Sequence, residues 1–114
     1  MYMPDALRAV TQLMEADPAR LAHRNAFNLT AMTFTPDDLA HAIQRHIPDF
    51  EIDYGVDPVR QDIADSWPDL LDDSAAREEW GWRPQYDLPR MTDEMILRVS
   101  EKLKERTETS DMPR

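Results

Sequence analysis

A polar cluster between Arg60 and Trp67 has the residue types best suited to bind a small molecule in this 114-residue chain. Asp65 and Ser66 lie beside Trp67, so the cluster combines both charges, a hydroxyl and a large aromatic face. The segment lacks helical or strand periodicity, which predicts an irregular loop, and loops on a rigid scaffold commonly carry binding residues. Two structural alternatives stay open: Trp67 covering the core, and Arg60 in a salt bridge with a neighbouring aspartate.

The other groups that could do chemistry do not form a recognisable set. His41 and His46 lie five residues apart on a predicted helix, about 140° around its axis, so they cannot jointly hold a metal ion. Adjacent carboxylates fall at predicted helix starts or on helix faces, where capping and solvation explain them. Gly55 and Gly81 are isolated, whereas a phosphate-binding loop needs clustered glycines. The sequence therefore predicts no catalytic, metal-binding or cofactor-binding residue.

Composition predicts one globular domain with an acidic surface. Hydrophobic residues make up 41% of the chain and charged residues 32%, and the formal net charge is -10. Nucleic acids and anionic membranes bind dense Lys and Arg surfaces, so we expect neither as a partner. The chain has no Cys, which excludes disulfides and thiolate chemistry and favours a cytoplasmic location.

Four helices are predicted to position the cluster. The first begins at Pro4 and carries Leu7, Val10, Leu13 and Met14 at three- and four-residue spacing before the break at Asp17-Pro18. The other three are bounded by residues typical of helix ends, and cover 35–48, 74–81 and 87–103. All four are short, amphipathic and separated by proline or glycine.

Two short segments alternate apolar and polar residues and therefore predict strands. Phe27 and Leu29 would share a face in 26–30, and Phe50 and Ile52 would do so in 50–54. A helix between two strands allows them to pair in parallel. We therefore expect an α/β fold, with a small, mostly parallel sheet of two or three strands surrounded by short helices. The domain would cover 1–104, and the polar residues 105–114 would form a disordered tail.

Several runs of residues carry a family resemblance over 1 to about 104. They are Tyr2-Met3-Pro4-Asp5-Ala6-Leu7-Arg8, the run from Phe27 to Thr35, the run from Asp57 to Pro68, Asp72-Asp73-Ser74 with Ala76-Arg77, and Trp80-Gly81-Trp82. These runs resemble the C-terminal, substrate-binding portion of an extended short-chain dehydrogenase of the NAD-dependent epimerase/dehydratase family. The run from Asp57 to Pro68 is most similar to the L-threonine 3-dehydrogenase branch of that family.

In the intact family, the resemblance implies oxidation of threonine to 2-amino-3-ketobutyrate by NAD. That reaction uses a glycine-rich loop on a Rossmann core and a Tyr-x-x-x-Lys pair. This chain has neither feature, because the residues four positions after its tyrosines are Ala6, Pro58 and Arg90. We therefore expect a substrate-binding portion that is inactive alone and that binds L-threonine only together with a cofactor domain. It would be an expressed fragment, a truncated reading frame or a remnant.

By the same resemblance, Trp67 is the first candidate for contact with the substrate and Arg60 is the second. Two other functions stay open. Arg60, Asp73 and Gly81-Trp82 also occur in nucleotide-sugar epimerases and dehydratases, so the substrate could be a nucleotide sugar. Alternatively, the chain is a stand-alone acidic module that associates with a protein partner or with itself through an uncovered apolar face. Whether the chain is itself an enzyme is left open by the sequence.

Overall fold

The computed structural model describes residues 1–110, and these residues form helices joined by extended and irregular segments. The helices are α1 (Met3–Glu15), a 3-10 turn (Pro18–Arg20), α2 (Pro36–Gln44), α3 (Pro58–Asp65), α4 (Ser74–Trp80) and α5 (Leu88–Ser110). Within 1–110 there is no strand. The predicted α/β fold with a parallel sheet is therefore wrong, and this part of the chain is all helical.

The predicted strand segments do not pair, and several of their backbone groups bond elsewhere. The carbonyl of Thr30 accepts the indole N–H of Trp82 at 3.0 Å. The N–H of Phe50 donates to the carbonyl of Ile47, also at 3.0 Å. The carbonyl of Phe50 accepts the side-chain amide of Gln44. Alternating apolar residues predict which side chains face the core, but a strand also needs a partner for its backbone.

The predicted helix ends are largely confirmed. Thr35 caps α2 in a capping box with Asp38, in which each side chain bonds the other residue's backbone N–H. Gly81 ends α4 with φ of 76°, in the left-handed region that glycine adopts at low cost. Asp73 occupies the cap position of α4, but its carboxylate accepts from Arg77 and does not cap the helix.

The segment predicted as an irregular loop, from Arg60 to Trp67, is mostly helical, so that prediction is wrong. The carboxylate of Asp57 accepts the N–H groups of Val59 and Arg60, and Pro58 occupies the first turn. An aspartate followed by proline is a helix-start signal, and Val59 and Ile63 follow it at helical spacing. None of the residues of α3 is buried.

The chain divides into two compact units. The first unit comprises Met1–Thr33 and Ile52–Asp87, and therefore contains α1, α3 and α4. Its core consists of Ala9, Ala76 and Trp82, against which Phe27, Leu29 and Trp80 pack. The rings of Phe27 and Trp80 meet edge to face with centroids 5.9 Å apart. Phe27 and Leu29 thus share one core, as their alternation predicts, although they do not lie on a strand.

The second unit combines Phe34–Glu51 with α5. Within it α2 packs against α5, and His46 Nε2 lies 2.7 Å from Asp93 Oδ1. The helix α5 extends to Ser110 and so continues into the predicted tail. The remainder of that tail, 111–114, lies outside the described residues. Neither α5 nor any other helix in the described part of the chain is long and apolar enough to cross a membrane.

Candidate substrate-binding segment

Arg60 and Trp67 lie on a fully exposed segment of the first unit. Each residue from 52 to 72 is exposed, and Trp67 keeps 69% of its surface open to solvent. The alternative in which Trp67 covers the core is therefore wrong, because the buried tryptophan of the core is Trp82. A large aromatic side chain held outside the core is available to contact a ligand or another protein surface.

The apolar face of α3 consists of Val59 and Ile63, and Trp67 continues their four-residue spacing just beyond the helix end. The N–H of Trp67 donates to the carbonyl of Ala64 at 3.1 Å, which forms a turn directly after the end of α3. Residues four apart lie about 40° apart around a helix, so Val59 and Ile63 are on one side of α3. All three are exposed. The helix α3 thus has no buried side chain to anchor it.

Arg60 lines an open depression formed by the start of α3 and the residues before it. Asp53, Tyr54, Gly55, Val56, Asp57, Gln61 and Ala64 line the rest. Arg60 Nε lies 3.7 Å from Asp57 Oδ2, and the Arg60 side chain is 88% exposed. The structural alternative for Arg60, a salt bridge with a neighbouring aspartate, is therefore observed. An ion pair this exposed contributes about 0–1 kcal/mol, so it competes only weakly with an anionic ligand. Trp67 lies outside the lining of this depression.

A buried charged cluster holds the first unit together and was missed by the sequence reasoning. The carboxylate of Asp5 is fully buried and accepts the backbone N–H groups of Gln85 and Tyr86 at 3.0–3.1 Å. Arg8 Nη2 donates to the same carboxylate at 2.7 Å, and its guanidinium lies 4.9 Å from the ring centroid of Trp82. Asp5 joins α1 to the segment after α4. From the sequence, an aspartate in the first turn of α1 suggests only a favourable interaction with the helix dipole.

Hydrogen bonds set the protonation state of Asp5. Burial raises the pKa of its carboxyl, but the bonds from Arg8 and from the N–H groups of Gln85 and Tyr86 outweigh burial and leave the pKa below the ordinary value. Asp5 is therefore charged in the folded chain at neutral pH. A buried charge with this many donors anchors the fold.

Asp73, which the resemblance also associates with nucleotide-sugar enzymes, forms an ion pair with Arg77. Its Oδ1 lies 2.7 Å from Arg77 Nε, one turn further along α4, and Asp73 is buried. The hydrogen bond from Arg77 lowers the pKa of Asp73, and the same bond raises the pKa of Arg77. The geometry gives Asp73 a structural role at the start of α4.

Glu79 fastens the segment around His23 to α4. Its Oε2 accepts the backbone N–H groups of Ala22 and His23, and its Oε1 bonds the ring nitrogen Nδ1 of His23. The side-chain bond to His23 is the largest cause that lowers the pKa of Glu79. In the described part of the chain, no group of three His, Cys, Asp or Glu residues could hold a metal ion. The bonds of Glu79 to Ala22 and His23 join this segment to α4.

The residues of this chain do not fit NAD. A dinucleotide site needs a glycine cluster between a strand and a helix, so that backbone N–H groups can approach the pyrophosphate. Gly81 ends α4, and Gly55 stands alone in the exposed segment. The arrangement of Arg60 and Trp67 can thus offer a cation and an aromatic face to a ligand, but it does not supply a place for the cofactor.

No protein-family model matches the chain, but curated proteins do. An uncharacterized epimerase/dehydratase of Staphylococcus haemolyticus is 54% identical over 102 residues, which are 90% of this chain and 32% of that protein. Another from Staphylococcus saprophyticus is 55% identical over 104 residues, or 91% of this chain and 32% of that protein. The chain thus spans about a third of the length of the curated relatives that it matches.

Solved structures of L-threonine dehydrogenases are similar to this chain. The L-threonine dehydrogenase of Clostridium difficile superposes with a TM-score of 0.83 at 56% identity, over 90% of this chain and 32% of that one. The L-threonine dehydrogenase of Phytophthora infestans superposes with a TM-score of 0.82 at 41% identity. The match covers 90% of this chain and 33% of that one. The predicted resemblance is confirmed: the chain is similar to a portion of the epimerase/dehydratases. Its structural neighbours in that group are L-threonine dehydrogenases, which is consistent with a C-terminal fragment of this family.

Proposed function

We propose that the chain is the substrate-binding C-terminal portion of an NAD-dependent L-threonine 3-dehydrogenase-like protein, and that it does not oxidise threonine alone. The observation that carries the proposal is the 56% identity to the Clostridium difficile L-threonine dehydrogenase over 90% of the chain. The absence of a Tyr-x-x-x-Lys pair and of a glycine-rich loop from the sequence supports inactivity, because the chemistry needs a base and a bound hydride acceptor.

In the proposed role, Trp67 packs against the bound amino acid and limits its access to water. The exposed, uncovered position of Trp67 supports this role, because a tryptophan outside the core needs another partner to bury its ring. Excluding water from a closed site strengthens every electrostatic interaction in it. Arg60 is the second contact, and its guanidinium can pair with the substrate carboxylate in two parallel hydrogen bonds.

The first experiment tests the isolated chain. Purified chain is incubated with NAD and L-threonine, and NADH formation is followed by absorbance. We expect no threonine-dependent rate above that of a buffer blank. A rate of NADH formation that rises in proportion to the amount of chain, and that stays with the chain through successive purification steps, would contradict the proposed inactivity.

The second experiment restores a cofactor domain. The part of the Clostridium difficile enzyme that precedes its matching third is fused to this chain, and the hybrid is assayed with NAD and L-threonine. Trp67→Ala should lower kcat/KM about 100-fold, which corresponds to the loss of a buried aromatic contact. Leu70→Ala is the matched control, because Leu70 is an equally exposed apolar residue of the same segment.

Arg60→Ala in the same hybrid should raise KM for threonine about tenfold with a smaller change in kcat, as expected for a binding contact. Arg98→Ala is the control, because Arg98 is also an exposed helical arginine with an ion pair to a nearby acid, Glu94. If Arg60→Ala behaves like Arg98→Ala, Arg60 does not contact the substrate.

A nucleotide sugar is the second candidate substrate, because the resemblance of Arg60, Asp73 and Gly81-Trp82 extends to nucleotide-sugar enzymes, and the staphylococcal relatives are named epimerase/dehydratases. The hybrid is therefore also offered UDP-glucose and UDP-galactose. Turnover of either sugar at a higher kcat/KM than threonine would replace threonine as the proposed substrate while leaving the role of this portion unchanged.

A further inference from the structure

The depression at the start of α3 carries charges of both signs. Arg60 supplies a cation, and Asp53 and Asp57 supply two carboxylates. Its volume is about 340 Å³, at the lower end of the range of roughly 300–1,000 Å³ for small-molecule sites. All of the lining residues belong to the first unit, so these charges are placed by that unit alone. A ligand suited to this depression is therefore small and complements both charges.

The two carboxylates of the depression differ in what they already bind. Asp57 Oδ1 accepts the N–H groups of Val59 and Arg60 at 3.0 and 3.3 Å, so this carboxylate is needed for the start of α3. Asp53 lies in the extended segment before the helix and is exposed. Within 1–110, its carboxylate makes neither a hydrogen bond nor an ion pair. The carboxylate that is available to a ligand is therefore that of Asp53.

Arg60 keeps donors for a ligand while it contacts Asp57. The contact joins Arg60 Nε to Asp57 Oδ2 at 3.7 Å. A guanidinium has five N–H donors in a planar fork, and four of them are on the two terminal nitrogens. The terminal nitrogens can therefore pair with a carboxylate in two parallel hydrogen bonds while Nε stays beside Asp57.

An α-amino acid presents the complementary pair of charges. Its ammonium and carboxylate groups are attached to the same carbon, so a site that binds both needs an anion and a cation that lie close together. Asp53 and Arg60 line one depression and supply this pair. Two carboxylates against one guanidinium give the lining a formal charge of -1. A diphosphate carries negative charge only and is repelled by such a lining.

We propose that Asp53 is a specificity-determining residue, whose carboxylate binds the ammonium group of the amino-acid substrate while Arg60 binds its carboxylate. The inference rests on the proposed function, and it adds the group that distinguishes an amino acid from other hydroxy acids. Both charged groups are at one end of threonine, so the 3-hydroxyl stays available to the base and the hydride acceptor. When the site closes and excludes water, the pairing of Asp53 with the ammonium group becomes stronger.

Two ligands that differ only in the ammonium group test the role of Asp53. 3-Hydroxybutyrate of the same configuration at C3 has the hydroxyl and the carboxylate of threonine, and a hydrogen in place of the ammonium group. The hybrid with the Clostridium difficile cofactor portion is assayed with L-threonine, and 3-hydroxybutyrate is added as a competitor. The readouts are KM for threonine and the competitive inhibition constant of 3-hydroxybutyrate.

Asp53→Asn should raise KM for threonine about tenfold, with a smaller change in kcat, because the ammonium group loses its counter-charge. The inhibition constant of 3-hydroxybutyrate should stay unchanged or fall, since this ligand has no ammonium group to lose a partner. Damage to the depression itself would instead raise both constants. Asp53→Glu keeps the charge and should hold KM within about threefold of the wild-type value.

Asp62→Asn is the matched control, because Asp62 is an exposed carboxylate of the same segment that lies outside the depression. It removes the same charge and should leave both constants unchanged. If Asp53→Asn raises both constants together, or affects KM no more than Asp62→Asn does, Asp53 does not bind the ammonium group and threonine remains the proposed substrate. If the wild-type hybrid binds NAD but does not oxidise threonine, the proposed function fails, and the role of Asp53 fails with it.

Discussion

The carboxylate of Asp5 accepts the backbone N–H of Tyr86 at 3.0 Å, across 81 positions of sequence. The rings of Tyr2 and Tyr86 meet edge to face beside this bond, with centroids 4.8 Å apart. The start of α1 is thus joined to the segment that follows α4 by a buried charge and an aromatic pair. These contacts, together with the core around Trp82, hold the first unit, which carries Arg60 and Trp67 on its surface.

Asp5→Asn should lower the free energy of unfolding by about 3 kcal/mol. The amide keeps the shape of the carboxylate but loses the charge, and its own N–H₂ group must face some of the donors that Asp5 now accepts. Urea denaturation followed by tryptophan fluorescence measures the change. Asp62→Asn on the exposed face of α3 is the control, with an expected change within about 0.5 kcal/mol. Equal midpoints for the two variants would contradict the anchoring role of Asp5.

Stability should decrease as the pH falls below about 5. The pKa values of Asp5, Asp73 and Glu79 are all lowered by hydrogen bonds in the folded chain. Groups with depressed pKa values stabilise the fold above their unfolded values, about 3.9 for Asp and 4.3 for Glu, and that contribution is lost as they become protonated. Urea midpoints measured between pH 7 and pH 3 show the trend.

The Asp5→Asn variant is the control for this pH series, and its urea midpoints are compared with those of the wild type. Its urea midpoint should depend less on pH than that of the wild type, because one of the carboxyls with a lowered pKa is no longer present to titrate. A reduced negative charge at low pH relieves repulsion equally in both chains. Parallel pH profiles of the two chains would therefore show that Asp5 does not contribute to acid sensitivity.

Gly81→Ala should destabilise the first unit by about 1 kcal/mol. The added Cβ meets no atom within 4 Å, so the cost comes from the left-handed φ of 76° alone. Gly55→Ala is the matched control, because its Cβ also meets no atom within 4 Å and its φ is not in the left-handed region. Gly55→Ala should be neutral or slightly stabilising. Thermal unfolding compares the two, and equal losses would argue against backbone strain at Gly81.

Trp67→Ala and Trp82→Ala should differ sharply in their effect on stability. Trp82 is fully buried and donates its indole N–H to the carbonyl of Thr30, so its truncation should cost about 3–5 kcal/mol. Trp67 is exposed, so Trp67→Ala should change stability by less than about 0.5 kcal/mol. A large loss of stability in Trp67→Ala would show that the ring is packed, and would weaken the proposed role in substrate contact.

The sequence by itself determined most of the helix ends and the resemblance. Helix ends depend on residues within one turn, and so Thr35 with Asp38 and the terminal Gly81 were readable as caps. The long matched runs also sufficed to predict the resemblance that the solved structures confirm. The helix α3 was readable in principle from its Asp57-Pro58 start and from the four-residue spacing of Val59 and Ile63, but both signals were missed.

Only the tertiary structure decided which surfaces are buried and whether strands form. Alternation in 26–30 predicted the inward side of Phe27 and Leu29, but a strand needs a backbone partner, and the carbonyl of Thr30 is bonded to Trp82. The periodicity of α1 is compatible with a buried or an exposed stripe, because an apolar pattern specifies a face and not what covers it. The burial of Asp5 likewise depends on donors 80 and 81 positions away, which local patterning cannot reveal.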